Sequence, residues 1–74
     1  MTVVASYEDA ERARCVDLIA HPDGSFGFRE CRRDPEDAGR WTLVADYSAL
    51  RHPTRAAALR AAADAVVWFD PPPA

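Results

Sequence analysis

The residues with the greatest chemical potential in this 74-residue chain are two cysteines, two histidines and a group of arginines. Cys15 and Cys31 bracket a turn and come face to face if the chain between them forms a hairpin. Directly opposite residues on neighbouring strands lie about 4.5–5.5 Å apart at Cα, within the range a disulfide accepts. They are therefore a candidate redox pair, with two reduced thiols on a sheet face as the plainer reading. Metal binding calls for more ligands. The nearest histidine, His21, is about 20 Å along the strand from Cys15 at the usual rise, so no metal or cofactor is expected. His21 and His52 each precede a proline and read as solvated loop residues. Neither has an acid or nucleophile predicted beside it, and Glu36-Asp37 falls in a loop that cannot hold a geometry, so no catalytic residue is expected and the chain reads as a non-enzyme.

These residues need elements to position them. His21-Pro22-Asp23-Gly24-Ser25 suits a type I turn followed by a left-handed residue, a three-residue hairpin loop with a bulge. That loop pairs Ala20 with Phe26, Leu18 with Phe28, Val16 with Glu30, Asp17 with Arg29 and Cys15 with Cys31. Val16, Leu18, Ala20, Phe26 and Phe28 then share one face, and Cys15, Asp17, His21, Arg29, Cys31 and Arg33 the other. A two-residue turn would set Leu18 opposite Arg29 and spoil both faces. Asp34 to Arg40 reads as an acidic loop. Trp41 to Tyr47 alternates again, with Trp41, Leu43, Ala45 and Tyr47 assigned to the core.

Thr54 to Phe69 is the organising helix. Alanine loses no side-chain entropy in a helix, Thr54 suits the N-cap, and Pro71, Pro72 and Pro73 cannot continue it. Leu59, Ala62, Ala63, Val66 and Phe69 form one face at helical period, which should cover the sheet. Trp68, Val67, Ala57 and Ala61 form a further smooth apolar surface and are candidate interface residues. Either an N-terminal segment or a second copy of the chain would cover them. Ser6-Tyr7-Glu8-Asp9 reads as a capping sequence for a short helix from Tyr7 to about Arg14, with Thr2 to Ala5 as a frayed start or an edge strand. The expected fold is α+β: a three-stranded antiparallel meander with the C-terminal helix on one face and a short N-terminal helix. Residues 1–70 make one domain and 71–74 a Pro-rich tail.

The composition bounds the function. Hydrophobic content of 49% and charged content of 28% are globular values. No apolar run is long enough to span a bilayer, and MTVVASYEDAER lacks the basic and apolar regions of a signal peptide, so the expected location is the cytoplasm. All nine basic residues are arginine, and Lys, Asn and Gln are absent. That pattern reads as high-GC codon bias and points to a bacterial source. The net charge of −3 is a poor footing for phosphate binding.

Arg29, Arg32, Arg33 and Arg40 form a basic cluster nonetheless. The order helix-strand-strand-strand-helix is similar to that of double-stranded-RNA-binding domains, and the last helix resembles theirs in position and alanine content. That family grips phosphate with a lysine-rich helix start; the matching stretch here, from Thr54 to Arg60, keeps two arginines and no lysine. A three-stranded sheet before a helix also resembles AP2-type and integrase-arm DNA-binding domains, which read DNA from the sheet face. These resemblances imply an alternative function in nucleic-acid binding, carried by Arg29, Arg33, Arg55 and Arg60. The favoured expectation is a small non-catalytic protein-interaction domain, working on a protein partner or as a homodimer, since a chain this short gains little stability alone.

Overall fold

The computed structural model describes residues 2–33 and 39–71. The acidic stretch 34–38, which includes Glu36-Asp37, and residues 72–74 of the Pro-rich tail lie outside the described residues. Four strands, β1 (Thr2–Glu8), β2 (Arg14–Ala20), β3 (Phe26–Arg33) and β4 (Trp41–Asp46), precede one helix, α1 (Arg55–Ala65). The strands pair in sequence order as an antiparallel meander, and α1 lies over β2 and β3. The class is α+β, with one strand more and one helix fewer than the sequence led us to expect. No helix among the described residues is long and apolar enough to cross a membrane.

The β2–β3 hairpin has the expected register throughout, from Ala20↔Phe26 to Cys15↔Cys31. Its turn closes with the His21 N–H donating to Ser25 O at 2.9 Å and the Gly24 N–H to His21 O at 3.0 Å. Gly24 takes φ +88°, the left-handed conformation for which glycine carries no Cβ penalty.

The predicted N-terminal helix is replaced by β1 and a tight turn. Asp9 starts that turn instead of closing a helical cap: its Oδ1 accepts from the Ala13 N–H at 2.9 Å, while the Arg12 N–H reaches Asp9 O at 3.1 Å. Aspartate side chains compete in this way with the helical backbone. An eight-residue helix is also below the length that is stable without packing. As the end of β1, Tyr7 and Glu8 instead pair with Val16 and Cys15 of β2, in a ladder interrupted only by a bulge at Val4, and Tyr7 lies against Phe69, ring centroids 5.7 Å apart.

The assignment of β4 is corrected in part. A bulge between Glu30 and Cys31 sets Ala45 opposite Glu30 but Leu43 opposite Cys31, leaving Val44 as the extra residue. An inserted residue inverts the faces beyond it. Ala45 and Tyr47 keep the helix side, and Tyr47 stacks on Phe28 at 4.8 Å. Leu43 and Trp41 pass to the open face and are exposed.

Helix α1 starts as expected, with Thr54 Oγ1 accepting from the Ala57 N–H at 3.1 Å. It ends at Ala65, four residues before the predicted end. Val66 is already extended, and the Phe69 N–H turns back to Val66 O at 3.0 Å. Val66, Val67, Trp68 and Phe69 are weak helix formers, and leaving the helix lets both Val66 and Phe69 bury. With Val16, Phe28 and Ala62 they form the core cluster, flanked by Leu59, Ala63 and Tyr7.

Candidate functional site on the open sheet face

Strand alternation gives β2 two chemistries. Its even-numbered residues Val16 and Leu18 go to the helix side, and its odd-numbered Cys15 and Asp17 to the other. Across the sheet, register builds two rows on that open side. The first is Glu8, Cys15, Cys31 and Leu43; the second is Ser6, Asp17, Arg29 and Asp46. All of these but Asp46, together with Trp41, line a concavity of about 450 Å³.

Asp17 is the centre of this site. Only 8% of the residue is exposed. Its carboxylate accepts from Ser6 Oγ at 2.7 Å and from Arg29 Nε at 3.0 Å, and the Cys15 thiol lies 3.7 Å from Oδ1. A buried carboxylate needs such partners, because an uncompensated charge would cost several kcal/mol. The bond to Asp17 raises the Arg29 guanidinium further above its ordinary range.

Cys15 and Cys31 are both free and buried. Burial, and then the charge of Asp17, push the Cys15 thiol up to about 12. The same causes raise Cys31, partly offset by Arg29. Thiols held protonated at neutral pH are poor nucleophiles, so this pair is chemically quiet unless something displaces its protons. Cys15 Sγ, Cys31 Sγ and a carboxylate oxygen of Asp17 all lie within 4.8 Å of one another. Sequence reasoning tested only the distant His21 as a third donor and missed Asp17. The signal was present, as Cys-x-Asp on one strand puts both donors on one face.

The histidines are not the solvated loop residues expected. His21 continues the open face of β2 under Gly27 and Ser48, and His52 pairs with Phe26 by two backbone bonds of 2.8 Å. Both Nε2 atoms are buried, without a hydrogen-bond partner among the described residues.

The candidate nucleic-acid arginines do not share a surface. Arg29 is committed to Asp17. Arg33 sits over the Trp41 ring at 5.2 Å and donates to Arg12 O at 2.7 Å. Arg55 and Arg60 are exposed on α1, across the sheet from both. Of the helix-side candidates, Val67 is fully exposed, while Ala57 and Ala61 are half-buried. Trp68 is half-buried too. It donates its indole N–H to Glu30 Oε2 at 3.0 Å and meets Phe69 edge-on.

No protein-family pattern, curated protein or solved structure matches the chain.

Proposed function

We propose that the protein is a small non-catalytic interaction domain that pairs with a second copy of itself along the outer edge of β4. The carrying observation is the exposure of that strand on both sides: Trp41 is 42% exposed, Leu43 51% and Val44 50%. Among the described residues no strand lies beyond β4. Its sequence holds no proline, and the ladder from Trp41 to Leu43 runs unbroken up to the bulge at Val44. In an antiparallel pairing about a twofold axis at Thr42, short of the bulge at Val44, Trp41 faces Leu43 of the other copy on the open face and Thr42 faces its own counterpart. One edge thus supplies both halves of an isologous contact.

The nucleic-acid reading draws less support, because its four arginines divide between opposite sides of the sheet and Arg29 is already paired. The helix surface at Val67 remains as a competing self-association site and is built into the test. Sedimentation equilibrium over a concentration series should give a dimer for the wild type and a monomer for Val44→Lys. A strictly monomeric wild type would overturn the proposal. So would a dimer that survives Val44→Lys and is lost in Val67→Asp.

A further inference from the structure

We propose that Cys15, Asp17 and Cys31 bind a zinc ion, with a fourth coordination position open to the concavity beside Glu8. This does not depend on self-association through β4.

The geometry comes first. Zinc takes sulfur ligands at about 2.3 Å and carboxylate oxygens at about 2.0–2.2 Å in a tetrahedral array, which puts donors about 3.6–3.8 Å apart. The Cys15 Sγ to Asp17 Oδ1 separation is 3.7 Å, already the edge of such a tetrahedron. All three donor atoms lie within 4.8 Å of one another, so closing around an ion needs side-chain shifts of an ångström or less. Two of the donors stand on β2 and the third directly opposite on β3, so paired strands hold the set and no loop is involved.

The surroundings match what a metal ligand needs. Ligating carboxylates are oriented by further hydrogen bonds, and Asp17 is held by Ser6 and by Arg29. Charge also balances. Zn²⁺ with two thiolates and one carboxylate carries one net negative charge, and the Arg29 guanidinium offsets it. Binding releases two thiol protons to solvent, one from each cysteine, with no change of oxidation state. Two sulfur donors select a borderline ion such as zinc over calcium or magnesium, which take oxygen.

The register also separates this reading from a disulfide. Phe26 and Phe28 direct their backbone groups away from β2, to His52 and Tyr47, whereas the Arg33 N–H reaches back to Ala13 O. The odd-numbered residues of β3 are therefore the hydrogen-bonded partners of β2, and Cys15↔Cys31 is such a pair. Cβ atoms at these positions stand toward the wide end of the cross-strand range, about 5.5 Å. A disulfide wants about 3.5–4.5 Å, so the strands would have to draw together. An ion seated between the sulfurs spans the gap as it stands.

The test uses the full reduced, metal-free chain and Co²⁺ as a spectroscopic probe. Wild type should bind one Co²⁺ per chain, with thiolate-to-cobalt charge transfer in the near ultraviolet and the strong visible bands of a tetrahedral site. Zn²⁺ should displace it. Cys31→Ser should abolish the charge transfer, and Asp17→Asn and Arg29→Gln should each weaken binding at least tenfold. Should the cysteine variants not fold, wild type alone decides: Zn²⁺ should slow alkylation of both cysteines. Absence of charge transfer in wild type, cobalt binding unchanged in Cys31→Ser, or alkylation indifferent to Zn²⁺ would each overturn the assignment.

Discussion

The two faces of this one sheet are built on different physics. On the helix side, Val16 and Phe28 meet Ala62, Val66 and Phe69 in an apolar layer. Its stability comes from area removed from water and depends little on direction. The polar intruder there, Glu30, is answered by the indole N–H of Trp68. The open side has no helix over it among the described residues, yet Asp17 is nearly as buried as the core and Ile19 is fully so. On that face Ser6 and Arg29 flank Asp17, and Ser48 of the linker closes on Gly27, the residue opposite Ile19. There a side chain keeps its place through particular partners: Ser6 and Arg29 on Asp17, and Asp17 beside the thiols. The helix face should therefore punish lost volume, and the open face a lost partner.

The largest effect tests the first half of that contrast. Phe28→Ala removes a ring that stacks on Tyr47 and lies 6.1 Å from His52. Such truncations cost about 3–5 kcal/mol, close to everything a small domain has. The variant should show no cooperative urea transition, whereas Phe28→Leu should keep one at a lower midpoint. A cooperative transition in Phe28→Ala close to that of wild type would mean that the helix face is not the main source of stability.

The second half is tested by a double-mutant cycle on the open face. Asp17→Val leaves Arg29 without its carboxylate. Because the arginine side chain is about a third exposed and water can reach it, the loss should be about 1–3 kcal/mol, below the cost of a sealed pair. Arg29→Met alone strands the more deeply buried Asp17 and should cost at least as much. The double variant should recover most of either loss in urea denaturation, as an apolar pair replaces an ionic one. Strictly additive losses would show that volume, not partnership, governs this face too.

How far these faces could be read from the chain follows from where the alternation is unbroken. The β2–β3 hairpin was legible to the single register, because Pro22-Asp23-Gly24 permits one turn and only one pairing sorts Val16, Leu18 and Phe28 from Asp17 and Arg29. Beyond it, alternation misled. Val44 is inserted at the bulge, so Trp41 and Leu43 lie on the face opposite to that expected, and nothing in WTLVAD marks which residue is extra. Asp9 reads equally as a late helical cap and as the start of a turn, and only pairing with β2 decides between them. The candidate metal donors failed to emerge for a different reason. Their register was correct, but the third donor was sought among histidines when the strand itself offered Asp17.

Where the linker closes on the open face, steric fit should dominate over backbone freedom. Gly27 has no left-handed φ that would demand glycine. A Cβ there would stand 3.0 Å from both Cα and O of Ser48 and 3.1 Å from His21 Nε2. Gly→Ala at an unstrained position gains about 0.4–1 kcal/mol through the unfolded state, but overpacking against backbone costs about 1–3 kcal/mol. The clash should win, so Gly27→Ala lowers the urea midpoint modestly while Gly24→Ala loses through its positive φ alone. A stabilised Gly27→Ala would mean that the Ser48 segment yields easily and that the open face is not closed at this end.

The smallest effect lies in the hairpin turn, away from both faces. Asp23 Oδ1 accepts from Ser25 Oγ at 2.6 Å and the Ser25 N–H at 3.0 Å, and Oδ2 pairs with Arg51 at 2.8 Å. These partners, Ser25 first, lower the Asp23 carboxyl from 3.8 to about 2. A depressed acid stabilises the fold above its unfolded pKa, and that contribution fades as pH falls from about 3.8 through about 2. Since Arg51 and Asp23 are both exposed, water screens their attraction and the short hydroxyl bond should matter more. A carboxyl NMR titration should give a midpoint near 2 in wild type. Ser25→Ala should raise it by more than Arg51→Ala does, with the residue-25 backbone N–H keeping part of the depression. The reverse order would show that charge and not local hydrogen bonding holds this turn, extending to the exposed hairpin the dependence on a paired arginine that governs Asp17.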